Sequence, residues 1–217
     1  MESDNLRHIY FVRHGQTEWN ATSRMQGQMN SDLNALGRKQ VDINARLLAS
    51  LGIQTWFCSP LDRTRQTAEI IQSHVAADVT FDDRIKEWDC GDWSGHLYAD
   101  LKTKWPDEWT AFEADRFNYR GPNCENYPDM IRRATPFVRE LLDSPVRKIA
   151  VISHGLIGRV MIGTLLGYSD TEMMTISQPN DVIYLVSLRM GCEEPGRRTL
   201  HHFIAPDGPF PGTVETW

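Results

Sequence analysis

The chain has 217 residues, of which 41% are hydrophobic and 24% charged, with a formal net charge of -6. These values suit one well-buried α/β domain and exclude disorder and a membrane class, since the longest apolar runs fall far short of the ~20 residues a membrane helix needs. The negative balance also excludes general attraction to nucleic acid or an anionic membrane, so any anion must be held by a few placed cations. Residues 1–8 carry Glu2 and Asp4 rather than the positive-then-apolar order of a secretory signal, which predicts a cytoplasmic protein. Four cysteines at 58, 90, 124 and 192 are widely spaced without a Cys-x-x-Cys pair, so neither a disulfide framework nor a zinc ribbon is expected.

In chain order, Ile9 to Val12 form a short buried strand that stops at Arg13-His14-Gly15. Trp19 to Gly27 reads as an irregular loop, and apolar spacing of helical kind runs from the mid-thirties to Ser50, with Gly52 as the stop. Trp56 to Cys58 is a second strand. Pro60 is expected in the first turn of a helix that runs to about His74 and carries Arg63 and Arg65. Val79 to Phe81 is a third strand, Asp82 to Gly95 a loop rich in acids, glycine and tryptophan, and Leu97 to Phe117 a helical stretch broken at Pro106. Gly121 to Pro128 reads as a loop and Asp129 to Leu142 as a helix. Lys148 to Gly155 repeats the first grammar: Ile-Ala-Val-Ile, then Ser153-His154-Gly155. A helix over Leu156 to Leu166, a strand over Val182 to Leu188, an edge strand over Leu200 to Ile204 and a surface tail over Asp207 to Trp217 complete the chain. Alternation of strands and helices predicts a three-layer α/β fold with a mostly parallel central sheet and helices on both faces. One domain is expected over 1–217, with a helical lid insertion at about 88–127.

In an open α/β sheet, ligands bind outside the carboxyl ends of the strands. Arg13, His14, Arg63 and His154 fall at such ends or just beyond them, so three junctions direct two guanidiniums and two imidazoles toward one region. Singly, each has an ordinary structural reading: a histidine satisfied in place, an arginine solvated in a first helical turn. The repeated strand-His-Gly pattern, the adjacent arginine and the third cationic junction together favour an anion site in which guanidiniums grip phosphate oxygens. A metal reading, with His14, His154 and Asp89 as ligands, is opposed by the two arginines beside them. No metal and no cofactor is expected.

Four blocks carry a resemblance across nearly the whole chain: Arg13-His14-Gly15-Gln16-Thr17-Glu18-Trp19-Asn20, Ser59-Pro60-Leu61-Asp62-Arg63-Thr64-Arg65-Gln66-Thr67-Ala68, Lys86-Glu87-Trp88-Asp89-Cys90-Gly91-Asp92-Trp93-Ser94-Gly95 and Ser153-His154-Gly155. In this order and spacing the chain resembles the histidine phosphatase superfamily, which includes cofactor-dependent phosphoglycerate mutase. The resemblance implies that His14 is the nucleophile, transiently a phosphohistidine, and that Arg13, Arg63 and His154 bind the transferring phosphoryl group, with Gly155 beside them. It further implies that Asn20 donates to the same phosphate and that Glu87 protonates the leaving oxygen. Flanking cations should depress the pKa of His14, whereas Glu87 needs burial or an arriving phosphate dianion to hold its proton. Glu18, Asp89 and Glu125 are rival acids, each otherwise an exposed carboxylate.

Thr17, Gln26, Glu125 and Arg116 are the candidate substrate contacts. The long basic, proline-rich insertion of the mutases is lacking, which favours a phosphatase. The segment Gly121 to Asn126 resembles the Gly-Glu-Ser segment of the small phosphatase branch, with Asn126 in place of its serine. Core packing is the expected role of most of Trp88, Trp93, Trp105, Trp109, Phe112, Phe117 and Tyr119. The expected reaction is hydrolysis of a small phosphate monoester; phosphoserine, α-ribazole phosphate, sugar phosphates and a phosphoprotein stay open. Mutase-type transfer and an inactive phosphate-binding member are the alternatives, and a homodimer is left open.

Overall fold

Strand β1 (Leu6–Arg13) begins three residues before the apolar run that predicts it, and its interior is buried on both faces. In the computed structural model, which describes residues 6–189 and 198–204, it is the fourth strand of a six-stranded sheet ordered β3-β2-β4-β1-β5-β6. β2 (Thr55–Cys58), β3 (Val79–Phe81) and β4 (Lys148–Ser153) run parallel to it; β5 (Val182–Arg189) runs against it and pairs antiparallel with β6 (Thr199–Ile204).

The pleat sorts side chains into two cores, because successive residues of a strand point to opposite faces. Ile9 and Phe11 of β1, Ile149 and Val151 of β4, and Val186 and Leu188 of β5 enter one core. Tyr10 and Val12, Ala150 and Ile152, and Ile183 and Leu185 enter the other. The second core is closed by helix α2 (Ala35–Ser50), through Val41, Ala45 and Leu48, and by α3 (Asp62–Gln72), through Ala68 and Ile71. The first is closed by α6 (Tyr127–Asp143) and α7 (Gly155–Leu166), together with α4 (Tyr98–Lys104) and α5 (Pro106–Ala114), which supply Leu101 and Trp109. The result is the expected three-layer α/β arrangement. Trp88, Trp93 and Trp109 share a buried cluster with the sheet residues, and Trp93 lies 5.9 Å from Trp109 and 5.4 Å from Phe112 between ring centroids. Trp93 packs in the core as expected, whereas Trp88 and Trp109, though buried, also face a cavity.

Several boundaries differ from the sequence expectation. α3 starts at Asp62 behind an extended Leu61, so Pro60 precedes the helix instead of opening it; the Thr64 hydroxyl ties back to the Ser59 and Leu61 carbonyls across that turn. A one-turn helix α1 (Glu18–Ala21) replaces the start of the expected loop, held by a reciprocal capping box between Thr17 and Asn20. α6 begins at Tyr127, two residues early, because Asn126 caps it against Asp129. An unexpected helix α8 (Asp170–Thr175) is capped by Ser169 with Glu172. The predicted tail over Asp207 to Trp217 lies outside the described residues, as does Cys192. Among the described residues no helix is long and apolar enough to cross a membrane.

Candidate active site

The four parallel strands end on one edge of the sheet, and the segments after them meet there. β1 and β4 are neighbours in register, with Arg13 opposite Ser153, and the ladder continues one step as the His14 amide donates to the Ser153 carbonyl at 3.0 Å. His14 and His154 therefore leave adjacent strands side by side, their rings 5.2 Å apart between centroids. β2, on the far side of β4, leads through Ser59 to α3 and Arg63, and β3 leads through a short turn to Glu87.

Arg63 is 1% exposed and stands between the two imidazoles. Its Nη1 and Nη2 donate to the carbonyls of Met29 (2.8 Å) and Gly27 (2.7 Å), and its Nε is shared between His14 Nε2 and His154 Nδ1 at 3.2 Å each. His14 Nδ1 donates to the Gly15 carbonyl at 2.8 Å, so the lone pair resides on Nε2. His154 Nε2 lies 2.7 Å from Ser59 Oγ. Burial, then Arg63 and Arg13, hold the His14 pKa well below its ordinary 6.5, and burial followed by Arg63 does the same for His154. Both rings are neutral at physiological pH. Burial pulls the Arg63 pKa down to about 10, which still leaves the guanidinium charged.

Arg13 donates through Nη1 to the Gln178 carbonyl at 2.8 Å, and its buried Nε has no partner among the described residues. Gly155 makes room for it: a Cβ there would stand 3.4 Å from the Arg13 Cζ. Gly15 has a separate task, since a Cβ on it would meet the Gly37 carbonyl oxygen at 2.4 Å, the contact that docks the first turn of α2 behind His14. Glu87 is half-buried at the N-terminus of α7, where its carboxylate accepts from the amides of Trp88 (2.9 Å), Ile157 (3.1 Å) and Leu156 (3.3 Å).

Arg13, His14, Asn20, Gln26, Arg63, Glu87 and Gly155 line one cleft of about 540 Å³. His154 is buried behind it, and Thr17 lies behind Asn20, whose Oδ1 accepts from the Thr17 amide at 3.1 Å. Gln26 Oε1 is buried without a partner among the described residues. Glu125 and Arg116 line an adjoining cavity of about 290 Å³ instead. Both Glu125 oxygens engage Arg133 (2.9 and 2.7 Å), and one also accepts from the Asp89 amide. Arg116 is exposed, 5.7 Å over the Phe112 ring. Asn126, in the position of the expected serine, is occupied as the α6 cap and donates to the Asn118 carbonyl. Among the described residues, no group of three or more His, Cys, Asp or Glu could hold a metal ion.

Sequence reasoning missed Ser59 as the partner of His154, although it opens the stretch from Ser59 to Ala68 that carries Arg63. It missed Gln178 and Asn180, the latter donating to the His14 carbonyl at 2.7 Å, because the loop after α8 has no local signal. Arg133 was missed for a similar reason. It bonds Glu125 and the carbonyls of Arg84 and Lys86, a convergence of segments distant in sequence. Arg159 also lines the cleft; its signal was its position five residues after His154 on α7.

Comparison with known proteins agrees with this geometry. The protein named Probable phosphoglycerate mutase GpmB of Citrobacter koseri is 34% identical over 161 residues, covering 73% of this chain and 74% of that protein. The glucosyl-3-phosphoglycerate phosphatase of Mycolicibacterium vanbaalenii is 31% identical over 170 residues, 75% of each. The solved structure of a mycobacterial glucosyl-3-phosphoglycerate phosphatase superposes with a TM-score of 0.74 at 27% identity, covering 84% of this chain and 90% of that one. The family model of the histidine phosphatase superfamily (branch 1) matches residues 9–196. The chain belongs to the histidine phosphatase superfamily.

Proposed function

We propose that this protein is a metal-independent phosphatase of the cytoplasm that hydrolyses a small phosphorylated metabolite through a phosphohistidine on His14. The observation that carries this reading is the neutral, tautomerically fixed imidazole of His14, whose Nε2 lone pair sits among Arg63, Arg13 and His154. The buried, unpartnered Nε of Arg13 supports an anion in the same place, because a buried donor without an acceptor is costly unless a ligand satisfies it.

His14 Nε2 attacks phosphorus, and the bond from phosphorus to the ester oxygen breaks. Glu87 gives a proton to the departing oxygen. Arg63 moves its shared Nε–H from the imidazoles to the equatorial oxygens, and Arg13 and the Asn20 amide nitrogen take the others. The Thr17–Asn20 capping box supports this role for Asn20 by occupying its side-chain oxygen. Glu87 then removes a proton from water, the water oxygen attacks phosphorus, the P–N bond breaks, and phosphate leaves with His14 neutral again. The segment at about 88–127 is the lid of this single-domain machine.

Rapid quench with 32P-labelled aryl phosphate should trap acid-labile, base-stable label on the protein, with chelator present throughout. Label that persists in His14→Ala sinks the assignment. Mutase-type transfer is the second reading, supported by the name of the Citrobacter relative: a second hydroxyl would replace water as acceptor. Release of free phosphate from phosphoglycerates without isomer formation favours the hydrolase.

A further inference from the structure

The cleft contains more positive charge than one phosphoryl group needs. Arg13, Arg24, Arg63 and Arg159 line it, and Glu87 is the one carboxylate among its lining residues. Arg13 and Arg63 are the guanidiniums nearest His14 in effect, each depressing its pKa. Arg24 is stacked 5.5 Å over Trp19 and donates to the Gly95 carbonyl.

Arg159 stands apart from these. It borders both the cleft and the adjoining cavity, on the wall that Met25, Trp88, Tyr98 and Leu156 also share. Its Nε donates to the Ile176 carbonyl (2.6 Å) and its Nη1 to the Tyr127 hydroxyl (2.8 Å), which leaves Nη2 without an acceptor among the described residues. None of the ion pairs among the described residues includes it. A half-buried guanidinium clamped at two of its nitrogens and lacking a counter-ion is preorganised for an anion that arrives with the substrate.

The adjoining cavity sets the rest of that substrate. Trp88, Tyr98, Phe112, Tyr119 and Leu156 give it apolar and aromatic walls. Its one acid, Glu125, is neutralised by the paired bonds from Arg133. At about 290 Å³ it has the size of a small-molecule pocket at the lower end of the range, room for a ring-sized group.

Resting on the phosphatase reading above, we infer that the alcohol part of the substrate is an apolar, ring-sized body bearing a second anionic group, with the body in this cavity and the anion on Arg159. Titration calorimetry with phosphonates, which bind but are not hydrolysed, tests this without catalysis. Benzylphosphonate should bind about tenfold tighter than methylphosphonate. The better of its meta- and para-carboxylated forms should gain about another tenfold, the worth of one charge-assisted hydrogen bond. In Arg159→Gln the carboxylate gain should fall below about twofold, and Arg159→Lys should recover part of it, which loss of folding would not do. The inference is overturned if benzyl is no tighter than methyl, if the carboxylate brings no gain, or if Arg159→Gln retains the gain. Intact preferences with no hydrolysis of carboxyphenyl phosphate would instead count against the phosphatase reading alone.

Discussion

At Glu87 three amide N–H groups converge on one carboxylate, two of them from the first turn of α7, the helix that His154 opens. Glu87 and the second histidine are thus fixed to the same helix start, so the distance between them is set by backbone. In the proposed mechanism Glu87 gives a proton when an ester oxygen leaves and takes one when water attacks, while the three amides fix where its oxygens lie. Replacing it with glutamine keeps the acceptor oxygen and removes the proton. Glu87→Gln should lower kcat/KM for an alkyl phosphate by about 100-fold or more, the usual contribution of a general acid, and for 4-nitrophenyl phosphate by less than about tenfold. Steady-state kinetics on the two esters checks this, and equal losses would move the proton transfer to Asp89 or Glu125.

Among the elements, α6 contributes to the site although none of its residues touches the cleft. Arg133 reaches from it to the carbonyls of Arg84 and Lys86 (2.9 Å each) and to both oxygens of Glu125, and so pins the segment that presents Glu87. It is a positioning residue in this reading. Arg133→Met should cost about 2 kcal/mol of stability, since it strands a half-buried carboxylate and two carbonyls. It should also reproduce the leaving-group selectivity of Glu87→Gln, a kcat effect with KM for 4-nitrophenyl phosphate little changed; a stability loss without that selectivity would make Arg133 merely structural. None of this was legible in the sequence, where Arg133 is one arginine on a helix. β1 and β4 were legible because an apolar run that stops at a histidine and glycine states both the strand and its functional end. α1 and α8 escaped because each is a single capped stretch of four to six residues, too short for periodicity. The Ser169-to-Glu172 spacing was the available sign for α8.

Taken as a whole, the molecule holds two imidazoles neutral in its interior, and that couples its stability to pH. Both folded pKa values lie below the ordinary 6.5, so between the folded and unfolded values the unfolded chain binds more protons. Stability is therefore full above about pH 6.5 and falls as the solution is acidified, by up to about 1.4 kcal/mol per pH unit for each histidine. Of the carboxylates held low in the fold, Asp42, Asp82, Asp115 and Asp129 start from 3.8 and Glu172 from 4.5, so they add to the loss only toward more acid pH, and urea unfolding between pH 6.5 and 5.5 reads mainly the histidines. His154→Asn should remove about half of the slope in that window; an unchanged slope would mean that the ring already takes up a proton in the fold. The register between β1 and β4 carries one more consequence. The 5.2 Å between the imidazole centroids is close to the ~4.8 Å that separates any two neighbouring strands, so the spacing of the two imidazoles is a gauge cut by the backbone repeat of the sheet. Loops around the pair can be exchanged while the gauge keeps its width.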